Sequence, residues 1–137
     1  MNQIYIAAYK EFNDYKKLER ILDYLLSRLD KKDVIFYVSN GEPGDNTCFK
    51  YVVEHGYKYI DWCPDKHGNR AKQKLPYIKN STHSILITNG ESRGISIAAR
   101  YSWMFVKDKI VVIKPIENSI CVWKDKKLLV DKKINEL

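Results

Sequence analysis

An apolar run, Val34-Ile35-Phe36-Tyr37-Val38, empties into Ser39-Asn40-Gly41-Glu42-Pro43-Gly44-Asp45-Asn46, and a helical pattern follows. A strand, a glycine-containing turn and a helix start in that order set unpaired backbone N–H groups at the carboxyl edge of a sheet, where a phosphate or another anion can bind. Gly41 and Gly44 would let the backbone approach such a group closely, although a plain connector also draws on glycine. Ser92-Arg93-Gly94 supplies a second constellation, in which Ser92 caps a helix and Arg93 offers a planar fork to a phosphate or carboxylate. Between them lies a cationic loop with Lys66, Arg70 and Lys72, suited either to folding over an anion or to ordinary solvent exposure. Three carboxylates stand near the cradle, Glu42, Asp45 and Glu91. Each is able to orient a ribose hydroxyl or act as an acid/base group, and each would repel a phosphate directly beside it. Asp45 is read first as the N-cap of the second helix. Tyr9 and Trp62 have rings that can pack on a base or ribose face, whereas Phe12 is assigned to the core.

These groups need elements to position them. Periodicity predicts a strand over Gln3–Tyr9 and a helix over Asp14–Leu29 with an apolar face of Leu18, Ile21, Leu22, Leu25, Leu26 and Leu29. A strand over Val34–Ser39 and a helix over Asp45–Glu54 follow, with Gly56 at the C′ position. Next come a strand over Tyr57–Trp62, a short helix over Gln73–Asn80 broken or redirected at Pro76, and a strand over Ser84–Thr88. A helix over Gly94–Phe105 and a strand over Lys109–Lys114 complete the series. Strands alternating with helices, and near-continuous apolar strands such as Ile110-Val111-Val112-Ile113, indicate an α/β domain with a five-stranded parallel sheet covered on both faces, a Rossmann-like three-layer arrangement. Such sheets bind ligands beyond the carboxyl ends of their strands, near the switch point, so the strand-end loops are read together. After Pro115, Ile120-Cys121-Val122-Trp123 and Leu128-Leu129-Val130 flank a charged tip, a hairpin expected to pack on its own domain or on a second subunit. The chain is accordingly divided into a domain over 1–115 and a hairpin extension over 116–137.

Composition narrows the function classes. A length of 137 residues at 45% hydrophobic content suits one core. A net charge of +7 favours anionic partners, but lysine outweighs arginine in the basic set, which points to solvated surface charge more than to bidentate readout of bases. No helix carries a dense basic stripe, so nucleic-acid binding is held as the second alternative. No window is long enough to span a membrane, and Met1-Asn2-Gln3 leads straight into a strand, so a cytoplasmic protein is expected. Cys48, Cys63 and Cys121 are widely spaced, and His55, His67 and His83 form no ligand pair, so neither a metal nor a cofactor is expected.

Four segments together resemble the YspA-like branch of the SLOG superfamily. They are Ala8-Tyr9-Lys10-Glu11-Phe12-Asn13-Asp14, Ser39 to Asn46, the stretch from Pro64 that ends Lys79-Asn80, and Ser92-Arg93-Gly94. The resemblance spans roughly Ile4 to Ile113. Members carry a Gly-Ser-Arg-Asp-Phe turn after the first strand, a Gly-Gly-Ala-Arg-Gly-Ala-Asp turn after the second, an Arg-Asn pair before the fourth and Ser-Arg-Gly after it. Here Ala8, Tyr9 and Lys10 stand for the first Gly, Ser and Arg, while Asn40, Pro43 and Asn46 replace a Gly, an Arg and the Asp of the second turn. The resemblance implies a domain that binds nucleotides or nucleotide-derived molecules of the ADP-ribose kind, with some members of the wider superfamily cleaving N-glycosidic bonds. The ligand-binding set that follows is Tyr9, Lys10, Asn40, Gly41, Glu42, Pro43, Gly44, Asn46, Trp62, Lys66, Arg70, Lys79, Asn80, Asn89, Ser92, Arg93 and Gly94. The departures in the second turn favour binding over catalysis. The expected role is sensing or sequestering a signalling nucleotide, for instance by a virus against host immunity, as a homo-oligomer whose interface Trp123 would anchor; a nucleotide N-glycoside hydrolase using Glu42, Asp45 or Glu91 is the first alternative.

Overall fold

The computed structural model describes residues 1–63 and 68–137. Its elements are β1 (Asn2–Ala8), α1 (Tyr15–Leu26), β2 (Val34–Val38), α2 (Pro43–Glu54), β3 (Lys58–Asp61), α3 (Arg70–Asn80), β4 (His83–Ile87), α4 (Arg93–Phe105), β5 (Lys109–Lys114), β6 (Ser119–Lys124) and β7 (Lys127–Lys133). All strands lie in one mixed sheet of seven, ordered β3-β2-β1-β4-β5-β6-β7. β1 to β5 pair in parallel, as the apolar runs predict.

Alternation along β1 explains the two cores. Ile4, Ile6 and Ala8 face α1 and α2, where they meet Leu18, Ile21, Leu22, Cys48, Tyr51 and Val52. Tyr5 and Ala7 face the other way, toward Ile78 of α3 and Ile95 and Ala98 of α4. A buried strand needs apolar residues on both sides, which is why β1 reads as a run without a polar period. Each fully buried Ile or Leu contributes on the order of 1.5–3 kcal/mol, so this interleaving is what holds the helices to the sheet.

The hairpin is not an appendage beside a five-stranded sheet. β6 pairs antiparallel with β5 through Ile110↔Trp123 and Val112↔Cys121, and β7 pairs with β6. Ile120 and Val122 join the α1/α2 core, so the segment is built into the same hydrophobic unit. Its two-residue tip places Asp125 and Lys126 at φ of 50° and 63°, the left-handed pair of a type I′ turn, whose twist suits a hairpin.

Two helix starts differ from expectation for local reasons. α2 begins at Pro43, where a missing N–H costs nothing because first-turn donors are unpaired anyway, and Asp45 lies inside the helix instead of capping it. α2 ends as expected: Gly56 takes φ of 71°, and Gly56 and Tyr57 donate backbone N–H groups to the carbonyls of Val53 and Val52 in a Schellman motif. α3 begins at Arg70 because Asn69 caps it, accepting the Lys72 N–H at 3.2 Å, and it runs unbroken through Pro76. Pro76 is exposed while Lys74 and Ile78 are buried, so packing of the other face outweighs the lost helical hydrogen bond. Among the described residues no helix is long and apolar enough to cross a membrane.

Candidate functional site

The order of the sheet reverses between β1 and β4: the chain passes from β1 outward to β2 and β3, then returns to the other side of β1. Connections leaving the two strands diverge there, and a crevice opens at their carboxyl ends. In this protein it is a pocket of about 200 Å³, lined by Tyr5, Ala7, Ala8, Lys10, Glu42, Asp45, Trp62, Arg70, Lys74, Ser92, Gly94 and Ile95. The N-terminal turns of α2, α3 and α4 all contribute to its wall.

Asp45 is its most constrained charged group. The side chain is buried; Oδ1 accepts the Ala8 N–H at 3.0 Å, and Oδ2 accepts from Arg70 at 3.3 Å. Burial pushes its pKa up to about 6, overcoming the Ala8 hydrogen bond and the Arg70 and Lys74 charges, with Glu42 adding to the rise. Arg70 is fixed from three sides: it pairs with Asp45, donates to Cys63 Sγ at 2.9 Å, and lies 5.0 Å from the centre of the Trp62 ring. Lys74, one turn along α3, is buried and donates to the Gly94 carbonyl at 2.9 Å. Burial lowers its pKa, opposed by the charge of Asp45 and reinforced by that of Arg70.

Two polar atoms of the lining residues are left over. The Tyr5 hydroxyl and the Trp62 indole N–H are buried and have no hydrogen-bond partner among the described residues. Their rings lie 6.1 Å apart. Burial raises the Tyr5 pKa well above the ordinary phenol value, and the Asp45 charge adds to it, so the hydroxyl stays protonated and able to donate. Unpaired buried donors are costly, on the order of 1–3 kcal/mol each, and such groups concentrate where a bound molecule completes them.

Of the residues singled out in the sequence, Lys10, Glu42, Asp45, Trp62, Arg70, Ser92 and Gly94 come together in this pocket. Ser92 caps α4, accepting the Ile95 N–H at 3.3 Å. Asn89 is spent on its own loop, where its side-chain oxygen accepts from the N–H groups of Glu91 and Ser92. Glu91 and Arg93 are exposed and outside the lining, as are Asn40, Pro43 and Asn46. Tyr9 packs on Phe12, with ring centres 5.8 Å apart. Lys79 and Asn80 end α3 at the opposite edge of the sheet, where Lys79 lies over the Phe105 ring. Lys66, with Pro64, Asp65 and His67, lies outside the described residues.

The turn glycines serve backbone and side-chain packing. A Cβ on Gly44 would fall 1.9 Å from the Tyr9 carbonyl oxygen, so the close approach is filled by the chain itself. A Cβ on Gly41 would meet the Arg70 guanidinium at 2.8 Å. Neither glycine has a positive φ. Ala8, which stands for the first glycine of the turn after β1, also lines the pocket, and Tyr5, Ala7, Lys74 and Ile95 do so without having been singled out. Lys74 was discoverable: it stands four residues after Arg70, hence on the same helical face once Asn69 is taken as the cap. Tyr5 gave a weaker sign, a hydroxyl within an otherwise aliphatic strand. Compared with family models, with curated proteins and with solved structures, the chain gives no match.

Proposed function

We propose that the protein binds a small, anionic, nucleotide-derived molecule in the pocket between β1 and β4, as a Rossmann-like domain of the SLOG type that senses or sequesters its ligand. The observation that carries this reading is the pair of buried donors, Tyr5 and Trp62, on the wall of a switch-point pocket that also holds Lys10, Arg70 and Lys74. Three cations face two carboxylates there, leaving a net positive lining for an anion. At about 200 Å³ the pocket falls below the roughly 300 Å³ from which whole-ligand sites start, so it suits one portion of a nucleotide, with the rest crossing the rim. Equilibrium dialysis against a nucleotide panel, followed by chromatography of the recovered molecules, tests the reading. A binder retains one class and returns it intact; retention of none contradicts binding.

The Ser92-Arg93-Gly94 rim gives a sharper expectation. Arg93 is exposed at the first turn of α4, next to two lining residues, and is placed to pair with the overhanging part of the ligand. Arg93→Ala should weaken affinity by roughly 1.5–3 kcal/mol in calorimetry with whichever nucleotide is retained. Unchanged affinity would take Arg93 out of the site.

One observation favours the hydrolase alternative. A buried carboxyl with a pKa of about 6, facing the pocket, has the poise of a general acid or base, so Asp45 is the group that would assist glycosidic cleavage. Free base and ribose products in the same dialysis samples would establish that reading in place of binding alone.

Association of subunits is proposed from the other end of the sheet. Trp103 and Met104 of α4 are 42% and 62% exposed, and the Trp103 ring meets Trp123 of β6 edge-on at 5.6 Å. Together with Ile110 they border one surface hollow. Burial against a second copy would cover these side chains. Trp123→Ala should then lower the mass measured by light scattering, and a wild type already monomeric at micromolar concentration would refute it.

A further inference from the structure

We propose that the inner end of the β1/β4 pocket is an oxyanion subsite, in which the Tyr5 hydroxyl, the Trp62 indole N–H and the Lys74 ammonium hold a phosphate-like group while Asp45 takes up a proton. The inference rests on the reading of the pocket as an anionic-ligand site and names the part of the ligand that reaches its floor.

The chemistry of the leftover groups selects the ligand group. An indole N–H can only donate, a lysine ammonium can only donate, and a tyrosine hydroxyl kept protonated donates as well. Lys74 uses one of its three donors on the Gly94 carbonyl, so others are free to turn toward the pocket. A floor furnished in this way needs an acceptor with several oxygens, such as a phosphate, a sulfate or a carboxylate. The Gly41–Gly44 turn cannot take this part by close backbone approach, because the Tyr9 carbonyl already occupies the space beside Gly44.

Asp45 sets the condition. An ionised carboxylate lining the same small pocket opposes a second anion, and its oxygens are held by the Ala8 N–H and by Arg70, so it cannot swing away without breaking both contacts. A proton on Asp45 removes that opposition and leaves Arg70 and Lys74 in excess. The charged and titratable groups around it are Tyr5 on β1, Glu42 and Cys48 at the start of α2 and within it, Arg70 and Lys74 on α3, and Cys63 beyond β3. Substituting Asp45 separates its titration from theirs.

Sulfate is the probe of choice, because it stays a dianion throughout the range used. The readout is the shift of the Trp62 indole N–H signal in a ¹H–¹⁵N titration of the full chain. For Asp45 titrating near 6, wild-type affinity should rise roughly 20-fold from pH 7.5 to pH 5.5 as the protonated fraction grows. Asp45→Asn should bind at pH 7.5 about as tightly as wild type does at pH 5.5, and change less than about twofold between them. Tyr5→Phe, which keeps the ring, should weaken sulfate at both pH values by roughly fivefold or more. Absence of saturable binding, an adventitious ion only that leaves the Trp62 signal still, or equal wild-type affinity at both pH values would each overturn the subsite. If those results came with intact nucleotide retention, the broader binding reading would survive. Sulfate binding of the expected kind with no nucleotide retained would instead sink that reading and leave the subsite.

Discussion

Gly44→Ala is expected to destabilise the protein by about 3 kcal/mol or more, the upper end of the overpacking range, because the contact cannot relax by a side-chain rotation. The added methyl would sit 1.9 Å from the Tyr9 carbonyl oxygen and 2.8 Å from its carbon, and both are main-chain atoms. Relief requires the first turn of α2 to lift from the end of β1. That movement would also pull Asp45 off the Ala8 N–H, since Gly44 and Asp45 are adjacent on α2. The loss should appear as a lower denaturation midpoint in urea, with an unchanged slope. A normally stable Gly44→Ala protein would show that the junction of α2 and β1 is looser than described.

Asp45→Asn should act in the opposite direction. The Asp45 pKa rises from 3.8 to about 6 on folding, so between those values the native state holds more protons than the unfolded chain. Stability from this group is therefore present at low pH and lost as pH rises through that window, amounting to about 3 kcal/mol at its full extent. An asparagine stays neutral and can still accept the Ala8 N–H, so the variant should be about 1–3 kcal/mol more stable at pH 7.5, with the difference vanishing near pH 4. Thermal melts across that range measure it. A variant less stable than wild type at pH 7.5 would mean that the Arg70 ion pair outweighs the burial of the charge.

The contrast between these neighbours shows what was legible in the sequence. Strand identity was, because a doubly covered strand such as Ile85–Ile87 must be apolar on both faces, and such runs alternating with helices announce a parallel sheet, whereas β3, an exposed edge strand, carries no such run. The hairpin was visible too, but its attachment was not: pairing of Val112 with Cys121 and Ile110 with Trp123 is a register that no local pattern encodes. At the strand ends, Lys10, Glu42, Arg70 and Ser92 come to one pocket because topology alone sends those ends to one edge. Which side chains turn inward was another matter. Gly44 looked like an anion cradle and is a packing contact; Asp45 looked like a cap and reaches across to β1. Both depend on how closely α2 approaches β1, a tertiary distance. Lys74 falls inside the expected helix, but a start at Gln73 instead of Arg70 hides its place one turn after Arg70.

The pocket itself can be interrogated through a single nucleus. The chain has three tryptophans, and only Trp62 lines the β1/β4 pocket, with Trp103 and Trp123 at the far hollow. Titration of ¹⁵N-labelled protein with ADP-ribose, a mononucleotide and a cyclic dinucleotide should move the Trp62 indole signal saturably with at least one of them, while the Trp103 and Trp123 signals hold their positions. A Trp62 signal that stays fixed with all three, or shifts confined to Trp103 and Trp123, would contradict nucleotide-ligand binding at this site.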